Sequence, residues 1–247
     1  MLIITDDFLS KSTHYQVLKE SLEKAGIVYL LETNVKPNPR AEDCDAMAKI
    51  AIEEKVDAII ALGGGVVGDL SGFIASTYMR GIKFYNIPTT ILSQVDYSIG
   101  GKTAIDFDHI KNIIGTFYQP HMVLIDPNTL NTLSPRQFNA GLVEAIKMAC
   151  CFSKDLFNLI KTCSLEEHIE EIIYKSLEIK KYVVTKDVLE SSLRKVLNFG
   201  HTIGHGIESY YEGKLLHGEC VSLGMLYFSS DSVKEELKTI YKKLTML

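Results

Sequence analysis

Apolar residues come in short blocks through the first half of the chain and at helical intervals through the second. Leu2 to Thr5 is an apolar run that stops at Asp6-Asp7, which predicts a strand and a turn. Tyr15, Leu18, Leu22 and Ala25 share one helical face, and Gly26 stands where a helix stop is expected. A second buried strand follows over 27–31, a loop at Lys36-Pro37-Asn38-Pro39, and an amphipathic helix over 41–54. Asp57-Ala58-Ile59-Ile60-Ala61-Leu62 shows no alternation, as in a strand covered on both faces. Strand, helix, strand, helix, strand is the signature of a parallel α/β sheet. That sheet continues through a helix ending near Tyr78 and through strands at 83–87 and 122–125. From Ser134 onward no strand pattern remains and helical spacing dominates. The fold class expected is therefore an α/β domain with a parallel, Rossmann-like sheet over 1–130, followed by an all-helical domain over 131–247.

Four stretches within this pattern carry chemistry. Gly63, Gly65 and Gly68 fit G-x-G-x-x-G between a strand and a helix, where a pyrophosphate can approach free backbone N–H groups. The acidic residue expected about 20 positions on is missing, because that region reads Asn86-Ile87-Pro88-Thr89-Thr90. Nucleotide binding and an ordinary tight turn both fit. Asp96 to Thr103 ends in Gly100-Gly101-Lys102-Thr103, with Lys111-Asn112 beyond it. The first glycine of a nucleotide-triphosphatase phosphate loop is absent, which argues against that class. A phosphate site using lysines as point charges and a solvated polar loop both remain open.

The third stretch, 137–151, is a helix that is apolar nearly all round, so it is expected to be buried. Its Glu144 and Lys147 must then pair or bind something; the plain alternative is an i,i+3 salt bridge at the surface. The fourth runs Asn198-Phe199-Gly200-His201-Thr202-Ile203-Gly204-His205-Gly206-Ile207-Glu208. It reads as helical, with His201 and His205 on one face, yet it holds three glycines that each cost roughly 1 kcal/mol against alanine. Something packs closely on this backbone: a second helix, or a metal or substrate. A carboxylate with two imidazoles is a common catalytic zinc set with one position left open. His201, His205 and His217 all qualify as the imidazoles, and spacing does not choose among them.

Composition narrows the classes. The 247 residues are 46% hydrophobic with net charge −5, enough for a substantial core and too acidic for a broad nucleic-acid surface. Five cysteines with no Cys-x-x-Cys spacing fit reduced thiols in a cytoplasmic protein. The start of the chain lacks a signal peptide's pattern, and no apolar run is long enough to span a bilayer, so no membrane partner is expected.

Taken together, the motifs resemble the 3-dehydroquinate synthase family, in the sugar-phosphate cyclase group and related in fold to iron-containing alcohol dehydrogenases. The likeness runs in order through Gly63 to Leu70, Tyr78-Met79-Arg80-Gly81, Pro88-Thr89-Thr90, Gln94-Val95-Asp96, Gly100 to Thr103, Lys111-Asn112, Gly141 to Lys147, Leu193-Arg194 to His205, and Leu216-His217-Gly218-Glu219, over about three quarters of the chain. The resemblance implies an NAD site at Gly63, Gly64, Gly65, Val66, Val67, Gly68 and Asp69, with Thr89, Thr90, Lys102, Lys111, Thr129, Leu130, Asn131 and Thr132. It implies zinc, with cobalt as the alternative metal, on Glu144, His201 and His217. His205 is then a substrate or proton-transfer residue. Asp96, Lys102, Asn112, Lys147, Lys180, Arg194 and Asn198 match the family's substrate pocket, and Arg80 its arginine lent across a homodimer to the substrate phosphate. The set Arg194, Leu197, Asn198 and His205 is like that of dehydroquinate synthases. The implied reaction takes a small phosphorylated sugar acid, 3-deoxy-D-arabino-heptulosonate 7-phosphate, to 3-dehydroquinate and phosphate, a carbon–oxygen lyase step.

Two departures accompany the likeness. Members of that family are longer at both ends, so helices of the second domain, with another substrate lysine, are expected to be missing. The stretch Glu32-Thr33-Asn34-Val35-Lys36 differs in spacing from the family's element on the adenosine side. These departures leave two alternatives: a shortened, non-catalytic homologue, and another metal- and NAD-dependent polyol dehydrogenase of this fold. The capping-box pattern Ser232-Val233-Lys234-Glu235 opens a last helix whose stripe Leu237, Ile240, Tyr241 and Leu244 needs a partner.

Overall fold

A computed structural model describes residues 1–108 and 110–246. They form two compact units: 1–89 with 97–129, and 90–96 with 130–247. The short segment 90–96 groups with the helical unit, although it lies far before residue 130 in the chain.

In the α/β unit, β1 (Leu2–Ile4), α1 (Thr13–Lys24), β2 (Leu30–Glu32), α2 (Ala41–Glu53), β3 (Ala58–Gly63), α3 (Gly65–Thr77), β4 (Lys83–Pro88) and β7 (Met122–Val123) build a five-stranded sheet. Its order is β2-β1-β3-β4-β7, parallel throughout. β3 is buried along its whole length. Ile59 and Ala61 pack with Met47 and Ala51 of α2 and with Leu70 and Ile74 of α3. Ile60 and Leu62 face the other way, onto Tyr15 and Leu22 of α1. Helices on both faces are why this strand carries no polar alternation.

Of the stretch read above as a polar loop or lysine phosphate site, Lys102-Thr103 and Lys111-Asn112 lie on an antiparallel hairpin of β5 (Lys102–Phe107) and β6 (Ile110–Phe117). Almost every β6 side chain is exposed, so neither face imposes the apolar alternation that marks a strand. Thr103 Oγ1 bonds across the pair, 2.9 Å from Thr116 Oγ1.

The helical unit contains α4 (Pro135–Phe152), α5 (Lys154–Thr162), α6 (Ile169–Lys186), α7 (His201–Tyr210), α8 (His217–Phe228) and α9 (Asp231–Lys243). Ser134 caps α4, its hydroxyl accepting from Gln137 N at 3.3 Å, with Pro135 in the first turn, where its missing N–H costs nothing. Ala140 to Ala149 are all buried. α7 and α8 approach through glycines. A Cβ on Gly204 would lie 3.0 Å from Val221 Cα, and one on Gly224 would lie 2.0 Å from Gly200 O. The glycine-rich stretch is thus explained by helix-on-helix contact, except Gly206, where an added Cβ would meet no other part of the described residues within 4 Å.

α9 starts two residues earlier than its capping-box pattern suggested, with Ser230 and not Ser232 at the N-cap, and Glu235 pairs with Lys238 at 2.7 Å instead of capping. Its apolar stripe folds back within the unit: Leu237, Ile240, Tyr241 and Leu244 are buried. Tyr241 Oη donates to Met225 Sδ at 3.6 Å, and Lys243 Nζ donates to Ile160 O at 3.0 Å.

The chain after α6 turns around Asp187. Its carboxylate accepts from the backbone N–H of Ser191, Ser192 and Arg194 at 2.8, 2.7 and 2.9 Å. Burial pushes this carboxyl up, but the three N–H donors outweigh burial and hold it below the usual carboxylate range.

Two outcomes follow from this packing. Gly224→Ala is expected to destabilise the protein by about 1–3 kcal/mol through overpacking, while Gly206→Ala is neutral or stabilises by up to about 1 kcal/mol; urea unfolding curves compare them. Asp187 has a lowered folded pKa, so its contribution is present above the unfolded carboxylate value and lost as pH falls below about 4. Asp187→Asn therefore lowers the thermal midpoint at pH 7, and the gap to the parent narrows toward pH 3.

Candidate functional site

In the helical unit α4 supplies Glu144 and Lys147, one turn apart and each 1% exposed. They do pair at i,i+3, Lys147 Nζ donating to Glu144 Oε2, but inside the unit and not at its surface. Glu144 Oε1 is buried and receives no hydrogen bond from the described residues. Two imidazoles face it: His201 Nε2 from the first turn of α7 at 3.7 Å, and His217 Nε2 from the first residue of α8 at 3.8 Å.

The other nitrogen of each ring is engaged. His201 Nδ1 lies 3.3 Å from Phe199 O, and His217 Nδ1 lies 3.0 Å from Glu208 Oε2. A carbonyl and a carboxylate only accept, so the Nδ1 atoms carry the protons and both Nε2 atoms present lone pairs. Burial pushes His201 down to about 4, against the pull of Glu144, so its ring is neutral at ordinary pH. Three lone-pair atoms thus converge with no proton among them. This donor set fits a divalent cation. Zinc bonds of about 2.0–2.2 Å place tetrahedral ligands roughly 3.4 Å apart, a few tenths below the observed separations.

His205 stands beside both rings, with centroids 5.3 Å from His201 and 5.7 Å from His217. Ligand-capable atoms of the three histidines lie within 4.8 Å of one another. His205 is exposed, whereas His201 and His217 are partly buried.

A charge cluster extends from Lys147. Lys180 of α6, 6% exposed, donates to Asp96. Burial pushes Asp96 up, but Lys180 and Lys147 outweigh it and keep the carboxyl below its ordinary range. Burial lowers Lys180 and Arg194, while Glu144 and Asp96 raise Lys147 despite its burial. Lys147, Lys180 and Arg194 are three buried cations; Glu144 and Asp96 act on the lysines, and Glu190, Asp96 and Asp187 act on Arg194. Arg194 is anchored by its NH1 donating to Val188 O at 2.7 Å. Asn198 is exposed and donates to Glu190 Oε1 at 2.7 Å.

The α/β unit carries the other expected residues. Gly63 ends β3, Gly64 caps α3, and Gly65, Val66, Val67, Gly68 and Asp69 form its first turns. The N–H groups at this helix start precede the intrahelical pattern and present an anion-attracting end. Thr89 N donates to Gly63 O at 3.0 Å, fixing the turn to the end of β4. A Cβ on Gly68 would meet the Asn86 side chain at 3.5 Å, an ordinary contact between α3 and β4. Burial pushes Asp69 up to about 8, partly offset by Lys111. Lys102 begins β5, and Lys111 and Asn112 lie on β6. Thr129 is buried in the turn 127–132, whose Leu130, Asn131 and Thr132 group with the helical unit. Thr90 also groups with the helical unit, where its hydroxyl donates to Ser93 Oγ at 2.9 Å. Arg80 is exposed on a turn where it and Met79 have left-handed backbones, φ 65 and 51.

Sequence reasoning passed over Glu208 and Glu190. The first had a signal, since Glu208 lies seven residues after His201 and so on the same helical face. The second had none, because its contact with Asn198 depends on a left-handed turn at φ 58. Glu219 is engaged in structure: it takes Arg136 in a two-pronged pair at 2.6 and 2.7 Å.

Comparison with known proteins adds to this geometry. The model for the 3-dehydroquinate synthase N-terminal domain matches residues 33–140, and that for the C-terminal domain matches 141–245. The 3-dehydroquinate synthase of Lactococcus lactis subsp. cremoris is 45% identical over 96% of this chain and 70% of its own. That of Latilactobacillus sakei is 47% identical over 76% of this chain, which spans 56% of the relative's length. Among solved structures, the 2-epi-5-epi-valiolone synthase of Streptomyces hygroscopicus, with NAD+ and Zn2+ bound, superposes with a TM-score of 0.89 at 25% identity, covering 100% of this chain and 74% of that one. No helix among the described residues is long and apolar enough to cross a membrane. Two matched domain models in the order of the two units, with relatives this similar over nearly the whole chain, place the chain in the 3-dehydroquinate synthase family.

Proposed function

We propose that the chain converts 3-deoxy-D-arabino-heptulosonate 7-phosphate to 3-dehydroquinate and phosphate as a cytoplasmic, NAD- and zinc-dependent homodimer. The single observation that carries this reading is the convergence of Glu144 Oε1 with the Nε2 atoms of His201 and His217, three lone-pair atoms that a divalent cation would satisfy together.

When bound, NAD+ and the metal supply transient removal and return of a hydride and Lewis-acid polarisation of the substrate oxygen, so the net reaction is not a redox one. Glu144, His201 and His217 hold the metal. Lys147 pairs with Glu144 Oε2, which orients Oε1 and leaves it for the metal. The start of α3, from Gly64 to Asp69, with Thr89, Lys111 and the turn 129–132, holds the dinucleotide; N–H groups there suit its pyrophosphate. Asp69, kept protonated near neutrality by burial, offers a hydrogen-bond donor.

Lys180 and Arg194 provide fixed positive charge for the substrate's carboxylate and phosphate, with Asp96 holding Lys180 in place. His205 is an exposed imidazole beside the two ligand rings and serves as the proton carrier. Lys102, Asn112 and Asn198 bind substrate hydroxyls and anions. Arg80, exposed on its strained turn, reaches the phosphate of the second copy.

A coupled assay of phosphate release from the heptulosonate phosphate, with NAD+ and zinc present, tests the reading. Release without net NADH is expected, with one metal per chain. Glu144→Gln, which keeps the side-chain volume, and Glu144→Ala are both expected to lose the metal and at least 100-fold of the release rate, roughly the loss of a main electrostatic contribution. NAD+ binding with no phosphate release identifies a non-catalytic homologue. NADH accumulation with a polyol identifies a dehydrogenase.

A further inference from the structure

His217 differs from His201 in how its ring is held. His201 leans on a backbone carbonyl, which every side-chain substitution leaves in place. His217 opens α8 directly after the connection from α7, and its Nδ1 is held by a side chain, Glu208 Oε2 at 3.0 Å. The linker contains two left-handed residues, Glu212 at φ 48 and Gly213 at φ 79. Both partners are mostly buried, with 22% and 20% of their side chains exposed. Glu208 lies three residues after His205 and seven after His201, so α7 presents both imidazoles and this carboxylate on one face.

We infer that Glu208 is a positioning residue for the metal centre: its carboxylate fixes the Nδ1–H tautomer and the ring orientation of His217, so that Nε2 is aimed beside Glu144 Oε1. Two physical effects follow. The ring is pre-oriented, which removes the cost of selecting one rotamer on binding. The carboxylate on Nδ1–H also makes Nε2 a stronger donor, as with other metal-bound histidines whose far nitrogen meets an acid. Glu208 touches neither substrate nor metal; it acts through His217. The inference rests on the metal reading above and adds a residue that fixes affinity.

Cobalt(II) titration followed by visible absorption, with a chelator competition for affinity, tests this in the full chain. Parent, Glu208→Gln and Glu208→Ala proteins are compared, and the metal-free thermal midpoint of each is recorded. Glu208→Ala is expected to bind cobalt about 10–100-fold more weakly, with an altered absorption band. Glu208→Gln, whose amide oxygen still accepts from Nδ1–H, is expected to recover part of that loss. The metal-free midpoint of Glu208→Gln stays at the parent value, which separates positioning from folding. Cobalt affinity within about twofold of the parent in both variants overturns this inference and leaves the metal reading standing. A parent protein that binds no cobalt overturns the metal reading, and this inference with it.

Discussion

One buried ion pair organises the helical unit. Glu144 and Lys147 sit inside a helix whose other residues from 140 to 149 are all buried. Taking two charges out of water carries a cost that their mutual attraction only partly offsets, and removing one partner leaves the other stranded at about 3–5 kcal/mol. Such a pair is poor material for stability alone. Here Lys147 occupies one carboxylate oxygen and leaves the other facing two lone pairs, an arrangement that makes sense as the anionic corner of a cation site. Asp96, Lys180 and Arg194 extend the same logic, with each charge countered by a neighbour.

The positions of the imidazoles depend on backbone contact. α7 and α8 lie close because Gly200, Gly204 and Gly224 lack side chains at the crossing. A Cβ on Gly218 would fall 1.8 Å from Ala140 O, so α8 also starts hard against α4. That contact places His217, the residue before Gly218, beside the helix that carries Glu144. The glycines therefore act on chemistry through geometry: they set three helices at spacings where three side chains can share one ion. Their cost in helix propensity is accepted in exchange for that register.

Much of this was legible in the sequence. The unbroken apolar run 58–62 announced a strand covered on both faces because helices lie on both sides of β3. The all-round apolarity of 137–151 left a buried Glu144 and a surface i,i+3 salt bridge both open, and the structure combines them, with the pair formed and buried. The hairpin at 102–117 was not legible: its residues are largely exposed, and exposure removes the periodicity that marks a strand. Choosing among His201, His205 and His217 was beyond spacing, since all three are compatible with a shared ion. The contact of Glu208 with His217 joins two helices and needs coordinates. The segment 90–96 was read with its sequence neighbours, but Gly141 of α4 lies against Ile91 and Leu92, which draws it into the helical unit.

X-ray absorption at the zinc edge of the metal-loaded protein bears most directly on the central claim, because imidazole rings give outer-shell scattering that counts them. The account predicts one zinc per chain with two imidazoles, the remaining ligands being oxygen at about 2.0–2.2 Å. A spectrum requiring three imidazoles, or an oxygen-only hydrated ion with none, would contradict the assignment of Glu144, His201 and His217 as the site.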